Sequence, residues 1–155
     1  MYQKILVPLD GSELAECVLP HVKAIAGGCR VADVVLARVV EPPVFIGGDD
    51  YTLTADQMRK IEAEARATAK KYISKVVSQL KLNGVSVKGE VIIGGRPADM
   101  LAEYANKNGV DLGVVATHGR SVISRWVWGS VADRIMRSSC VPVLMVRAPG
   151  CMPGI

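Results

Sequence analysis

Short aliphatic runs and helical patterns alternate along the whole 155-residue chain, and that alternation limits its folds more than any other feature. The runs are residues 4–9 (KILVPL), 33–40 (DVVLARVV), 85–93 (VSVKGEVII), 112–116 (LGVVA) and 142–147 (PVLMVR). Each is the length of one strand, and each connection between them has room for a helix. Strands joined through helices must run parallel, and such crossovers are right-handed. The expected fold is therefore α/β: one doubly wound, five-stranded parallel sheet with helices on both faces. Composition agrees, since 50% of residues are hydrophobic and only 5% aromatic. Aliphatic side chains dominate when a sheet is covered on both sides. The length suits one domain, expected over residues 1–148, with a loose Pro/Gly-containing tail at 149–155.

Turn and cap residues punctuate the pattern. Pro8 has no N–H and belongs near the end of its strand, where a ladder bond can be spared. Asp10 or Ser12 can cap the next helix, and Asp10 with Glu13 has the spacing of a capping box. Leu14, Val18, Val22 and Ile25 then recur at helical spacing. Pro20 should kink or restart that helix, and Gly27-Gly28 should end it. Residues 41–52 form a long connection of the kind often found as lids. Thr54 to Gln57 has capping-box spacing, and Met58, Ile61, Ala65, Tyr72, Ile73, Val76 and Leu80 make one apolar stripe. Asn83-Gly84 should stop this helix. Pro97 suits the first position of the next, with Leu101, Ala102 and Ala105 inward and Asn108-Gly109 at its end.

Charge and cysteine usage narrow the function classes. The net charge is +4, of which residues 111–155 supply five arginines against Asp111 and Asp133. No basic run exceeds two residues and no aromatics interleave with them, so a nucleic-acid surface is not expected. A small anion is the better partner. Cys17, Cys29, Cys140 and Cys151 stand far apart, with neither zinc-ligand nor disulfide spacing, and plain thiols fit a reducing compartment. No apolar run approaches membrane length, and Met1 leads almost directly into the first strand. A cytoplasmic protein with no membrane partner is expected.

Parallel sheets of this type bind ligands beyond the C-terminal ends of their strands, where the strand order reverses. The first strand ends near Asp10. The fourth ends at Ala116-Thr117 and runs into His118-Gly119-Arg120-Ser121, with Gly129-Ser130 opening a helical pattern over 131–137. Glycine lets backbone N–H groups approach a ligand, and a helix start offers unpaired N–H groups to an anion. If the first and fourth strands are neighbours, Asp10 and the glycine turn face one crevice.

KILVPLDGSE at the start, VVATHGRS with Gly129-Ser130 in the middle and CVPVLMVR at the end together resemble the universal stress protein family. The likeness runs in order along nearly the whole chain. It implies strand order 3-2-1-4-5 and a homodimer formed by the last strand (residues 142–147, bounded by Pro142 and Arg147); the glycine cradle and the long 41–52 connection together point to a ligand-dependent, dimeric stress-response switch. Many members of the family bind ATP or a related adenine nucleotide, AMP or ADP, through the pattern Gly, two residues, Gly, nine residues, Gly-Ser/Thr. Gly119, Gly129 and Ser130 match it, whereas Ala116 stands at the first glycine. That methyl matters only where the backbone needs a positive φ or the ligand comes within contact distance. The resemblance further implies that Pro8 and Asp10 close the adenosine side and that Val39 borders adenine. His118, Gly119, Arg120, Ser121 and Val122 would wrap ribose and phosphates, and Gly129, Ser130 and Val131 would hold phosphate oxygens. Mg²⁺ or Mn²⁺ would be held mainly by phosphates and water.

More ordinary roles stay open beside these. Asp10 can be a helix cap, His118 a surface residue, Arg120 and Arg125 solvated, and Trp126 and Trp128 loop packing. Neither a P-loop nor a Gly-x-Gly-x-x-Gly stretch is present, and no catalytic residue stands out. At most a weak ATPase is expected. The alternatives are an interaction protein of this fold that binds no nucleotide, and a slow ATP hydrolase. A protein partner, of unknown identity, belongs to the switch reading.

Overall fold

A computed structural model describes residues 1–42, 54–116 and 141–147. Five parallel strands form one sheet: β1 (Lys4–Pro8), β2 (Asp33–Val40), β3 (Ser86–Ile93), β4 (Leu112–Ala116) and β5 (Val143–Val146). Their order is β3-β2-β1-β4-β5. The described helices are α1 (Glu13–Glu16), α2 (Leu19–Cys29), α3 (Ala55–Gln79) and α4 (Pro97–Lys107).

β1 and β4, and the middle of β2, form where aliphatic runs can be buried from both sides, whereas β3 at the sheet edge carries Ser86, Lys88 and Glu90 and buries none of its residues fully. Alternate residues enter two cores. Ile5, Val7, Val34, Leu36 and Val114 pack with Ala15 of α1, Val22 of α2 and Ile73 and Val76 of α3. Leu6, Val35 and Ala37 pack with Ala98, Leu101 and Ala105 of α4. Each fully buried valine or leucine stabilises the fold by about 1.5–3 kcal/mol through lost apolar hydration. Gly89 of β3 lets α3 come close, because a Cβ there would collide with Cγ2 of Ile73.

The caps agree with the sequence in part. Thr54 accepts from the Gln57 amide, and Gln57 accepts in return from the Thr54 amide at 2.8 Å, a complete capping box. Pro20 restarts the helix instead of kinking it: α1 ends at Glu16, and α2 begins at Leu19 with proline in its first turn, where no N–H is required. Gly27 and Gly28 do not end α2. They are helical and exposed, and the helix closes instead at Arg30, whose φ of 54° and ψ of 45° are left-handed. The buried Val31 turns the chain into the core there and sets the stop. α3 likewise ends before Asn83-Gly84, because Leu80 leaves the helix to enter the core. The first part of its apolar stripe is not core either. Met58 is 41% and Ile61 39% exposed, and burial begins at Ala69. Length accounts for part of this: a 25-residue helix spans about 37 Å against about 26 Å for the eight-residue β3.

Candidate functional site

β1 lies between β2 and β4, and the chain leaves it in opposite directions on its two sides. The crevice expected at such a reversal opens beyond Pro8. Register fixes its walls. Pro8 is level with Ala37 of β2, and Leu6 with Gly113 of β4. Continued along the strands, Leu9 is level with Arg38 and Ala116, and Asp10 with Val39. The Leu9 amide donates to the Ala37 carbonyl at 2.8 Å, so the β1–β2 pairing does continue past Pro8. With strands about 4.8 Å apart, these residues share the C-terminal end of the three central strands within about 10 Å. Pro8, Asp10, Val39 and Ala116 are thereby brought together. His118, Gly119, Arg120, Ser121, Val122, Gly129, Ser130 and Val131 lie outside the described residues.

Pro8 is the last residue of its strand and half-buried, lining an apolar depression with Leu6, Ala105, Val110 and Val143. Val39 is half-buried against the α4 core, two residues past the last β1–β2 pair. Ala116 ends β4 opposite Val146. Among the described residues Arg30 is the one non-glycine with a positive φ, so Ala116 sits in ordinary strand conformation. The backbone at this position therefore does not require glycine.

Asp10 does not make the capping box that its spacing to Glu13 allows. The N-cap is Ser12, whose hydroxyl oxygen accepts from the Ala15 amide at 3.1 Å. Asp10 folds over the turn: its Oδ1 accepts from the Ser12 amide at 2.9 Å and from the Ser12 hydroxyl at 2.6 Å. Such aspartate turns fix the carboxylate against its own backbone. Ser12 thus links the carboxylate orientation to the first turn of α1.

A second group of residues, which the sequence pattern did not single out, supports this turn. Cζ of Arg38 lies 5.3 Å from the ring centroid of Tyr72, a cation–π distance. Gly11 has a φ of +88°, and a Cβ there would stand 2.9 Å from Nη1 and 3.2 Å from Cζ of Arg38. The Tyr72 hydroxyl donates to Oε1 of Glu16 at 2.9 Å. Burial, then that hydrogen bond and the Glu16 and Asp10 charges, push the Tyr72 hydroxyl well above the usual phenol range, and Arg38 opposes the shift. One signal was visible in sequence: Arg38 is the only charge between Val34 and Val40, in a run otherwise fit for full burial. Tyr72 gave none, since it fell within an apolar helical stripe.

The N-terminal ends of the strands, away from the crevice, are held by polar contacts of a structural kind. The Asp111 carboxylate accepts from the Gln3 amide at 2.7 Å and from the Lys4 amide at 3.1 Å. Asp33 meets Lys88 at 3.2 Å, and hydrogen bonds from Lys88 and then Ser86 hold its carboxyl below the ordinary range. Among the described residues no cluster of three or more His, Cys, Asp or Glu could hold a metal. No helix among them is long and apolar enough to cross a membrane.

Comparison with known proteins matches this arrangement to one family. The sequence pattern of the universal stress protein family covers residues 1–147. Universal stress protein MJ0531 of Methanocaldococcus jannaschii is 31% identical, over 96% of this chain and 84% of its own. Universal stress protein MJ0577 of the same organism is 29% identical, over 95% of this chain and 96% of its own. The solved structure of MJ0577 superimposes with a TM-score of 0.78 at 26% identity, covering 97% of this chain and 99% of that one. A universal stress protein solved in complex with cAMP superimposes with a TM-score of 0.68 at 24% identity, covering 95% and 98%. Its five-stranded sheet of order 3-2-1-4-5 and the family pattern along 147 residues place the chain in the universal stress protein family.

Proposed function

We propose that this protein is a regulatory member of its family that binds ATP, or another adenine nucleotide, in the crevice beyond β1 and β4. The observation that carries the proposal is the meeting of Asp10, Val39 and Ala116 at the strand-order reversal, directly ahead of the motif that begins at Ala116. Val39 lies past the last β1–β2 pair, which suits backbone recognition of a base edge. Asp10 is held beside it by Ser12, as a ribose or adenine partner would be. His118, Gly119, Arg120, Ser121 and Val122 would close over ribose and phosphates. Gly129, Ser130 and Val131 would donate to phosphate oxygens. Mg²⁺ or Mn²⁺ would be carried mainly by the phosphates and water. A solved relative of the same fold is a complex with cAMP, an adenine nucleotide.

The switch part of the proposal rests on β5. Among the described strands it pairs with β4 alone, and Leu144 on it is 38% exposed. An exposed aliphatic edge strand is a template for a second chain. A twofold partner through residues 142–147 would cover it, with nucleotide-dependent changes read by a further protein in the cytoplasm. A reading without nucleotide is favoured by one observation, the alanine at the first motif glycine. The strand conformation of Ala116 weakens that objection. Titration calorimetry with ATP and Mg²⁺ tests the proposal. Saturable heat that is lost in Gly119→Val supports it. No heat and no thermal shift at millimolar nucleotide rejects it in favour of the interaction protein.

A further inference from the structure

We propose that Arg38 is the positioning residue of the Asp10 turn, its guanidinium standing where a side chain at position 11 would be and fixing how Asp10 meets the crevice. Its bearing on ligand affinity rests on the nucleotide reading above; the positioning itself does not.

The contacts form a closed ring. Arg38, in β2, has Nη1, Cζ and Nη2 at 2.9, 3.2 and 3.4 Å from the Cβ position of Gly11. It is braced by the Tyr72 ring of α3 at 5.3 Å. Tyr72 is held by Glu16 at the end of α1 through the 2.9 Å hydrogen bond. Four residues earlier in the chain, Ser12 caps α1 and binds Asp10, which adjoins Gly11. Every member of the ring therefore constrains the next, and the ring closes on the turn.

Position 11 is restricted twice. Its φ of +88° favours glycine, and the guanidinium occupies the space a methyl would need. A planar cation suits this place better than an ammonium. It lays a flat surface against the glycine and stacks on an aromatic face at once. The same geometry explains a charge on a strand whose neighbours Leu36, Ala37 and Val40 are buried. A strand residue that only filled the core would be aliphatic, as those are.

The experiment compares wild type, Arg38→Met and Arg38→Lys by amide hydrogen exchange and by ATP binding with Mg²⁺. The Ser12 amide, which donates to Asp10, should exchange about tenfold faster in both variants, while the Leu36 and Val114 amides keep their wild-type rates. ATP affinity should fall about tenfold in Arg38→Met. An unchanged Ser12 rate overturns the proposal, and so does an acceleration shared equally by Leu36, which marks general destabilisation. Equal ATP affinity in a wild type that binds ATP and in Arg38→Met also overturns it. If wild type takes up no ATP, the nucleotide reading fails, and the Ser12 rate alone decides the role of Arg38.

Discussion

The hydroxyl of Tyr72 donates to Oε1 of Glu16 across 2.9 Å, joining α3 to the end of the four-residue helix α1. The tyrosine is half-buried, and its raised pKa gives this contact a pH signature. The folded value lies above the unfolded one of about 10, so the stabilisation is complete below pH 10 and is lost as pH rises toward the folded value. Tyr72→Phe should cost about 1 kcal/mol in urea denaturation at pH 8. The gap between wild type and variant should narrow above pH 10. A gap that widens with pH would contradict the assignment.

At the N-terminal ends of β2 and β3 the linkage has the opposite sign. Hydrogen bonds from Lys88 and Ser86 lower the Asp33 pKa, so their contribution is present above the unfolded value of about 3.9 and lost as pH falls below it. In Lys88→Met the Asp33 carboxyl should titrate closer to an ordinary aspartate. Carbon-detected NMR between pH 2 and 6 reads this directly. An unmoved titration curve would show that Lys88 is not the cause.

Packing between α3 and β3 depends on a missing side chain. Gly89→Ala should destabilise by about 1–3 kcal/mol, because the new methyl meets Ile73. Ile73→Ala should itself cost about 2–5 kcal/mol through the cavity it leaves. In the double variant the methyl at 89 enters that space, so the combined loss should be smaller than the sum of the two. Simple additivity in a denaturation cycle would mean that the helix shifts to avoid the clash.

Ala116 offers a direct test of the motif. Its strand conformation means that Ala116→Gly relieves no backbone strain. ATP affinity should change by no more than about twofold, and stability should fall by about 0.5–1 kcal/mol from the glycine in a strand. A tenfold gain in affinity would mean that the methyl stands in contact with the ligand.

The fold was legible because its strands are rich in aliphatic residues and regularly spaced by helical patterns. β2 and β4 begin and end where the sequence alone places them, at Asp33–Val40 and Leu112–Ala116. Helix ends were read less well. Gly27-Gly28 has the local chemistry of a stop, but the stop is made by Val31 entering the core, a tertiary event. Met58 and Ile61 follow the right period on a helix longer than the sheet beneath it. Asp10 and Ala116 were legible as residues at strand ends, whereas Val39 was named only through the family resemblance. Arg38 and Tyr72 were not legible, since their partners lie far off in sequence: Glu16 is 56 residues from Tyr72. Local periodicity carries no information about such pairs, whereas the interrupted valine run around Arg38 was a readable clue.

The β1–β4 pairing also sets an order of assembly. Ile5 meets Leu112, about 107 residues later in the chain, whereas β1, β2 and β3 pair among themselves within the first 93 residues. Contacts so distant in sequence form late, after shorter loops have closed. On a ribosome, which emits the N-terminal part first, the segments that carry Asp10 and Arg38 emerge before Ala116 does. The crevice is therefore absent from every shorter nascent chain. A ligand that binds it selects polypeptides whose synthesis has passed β4.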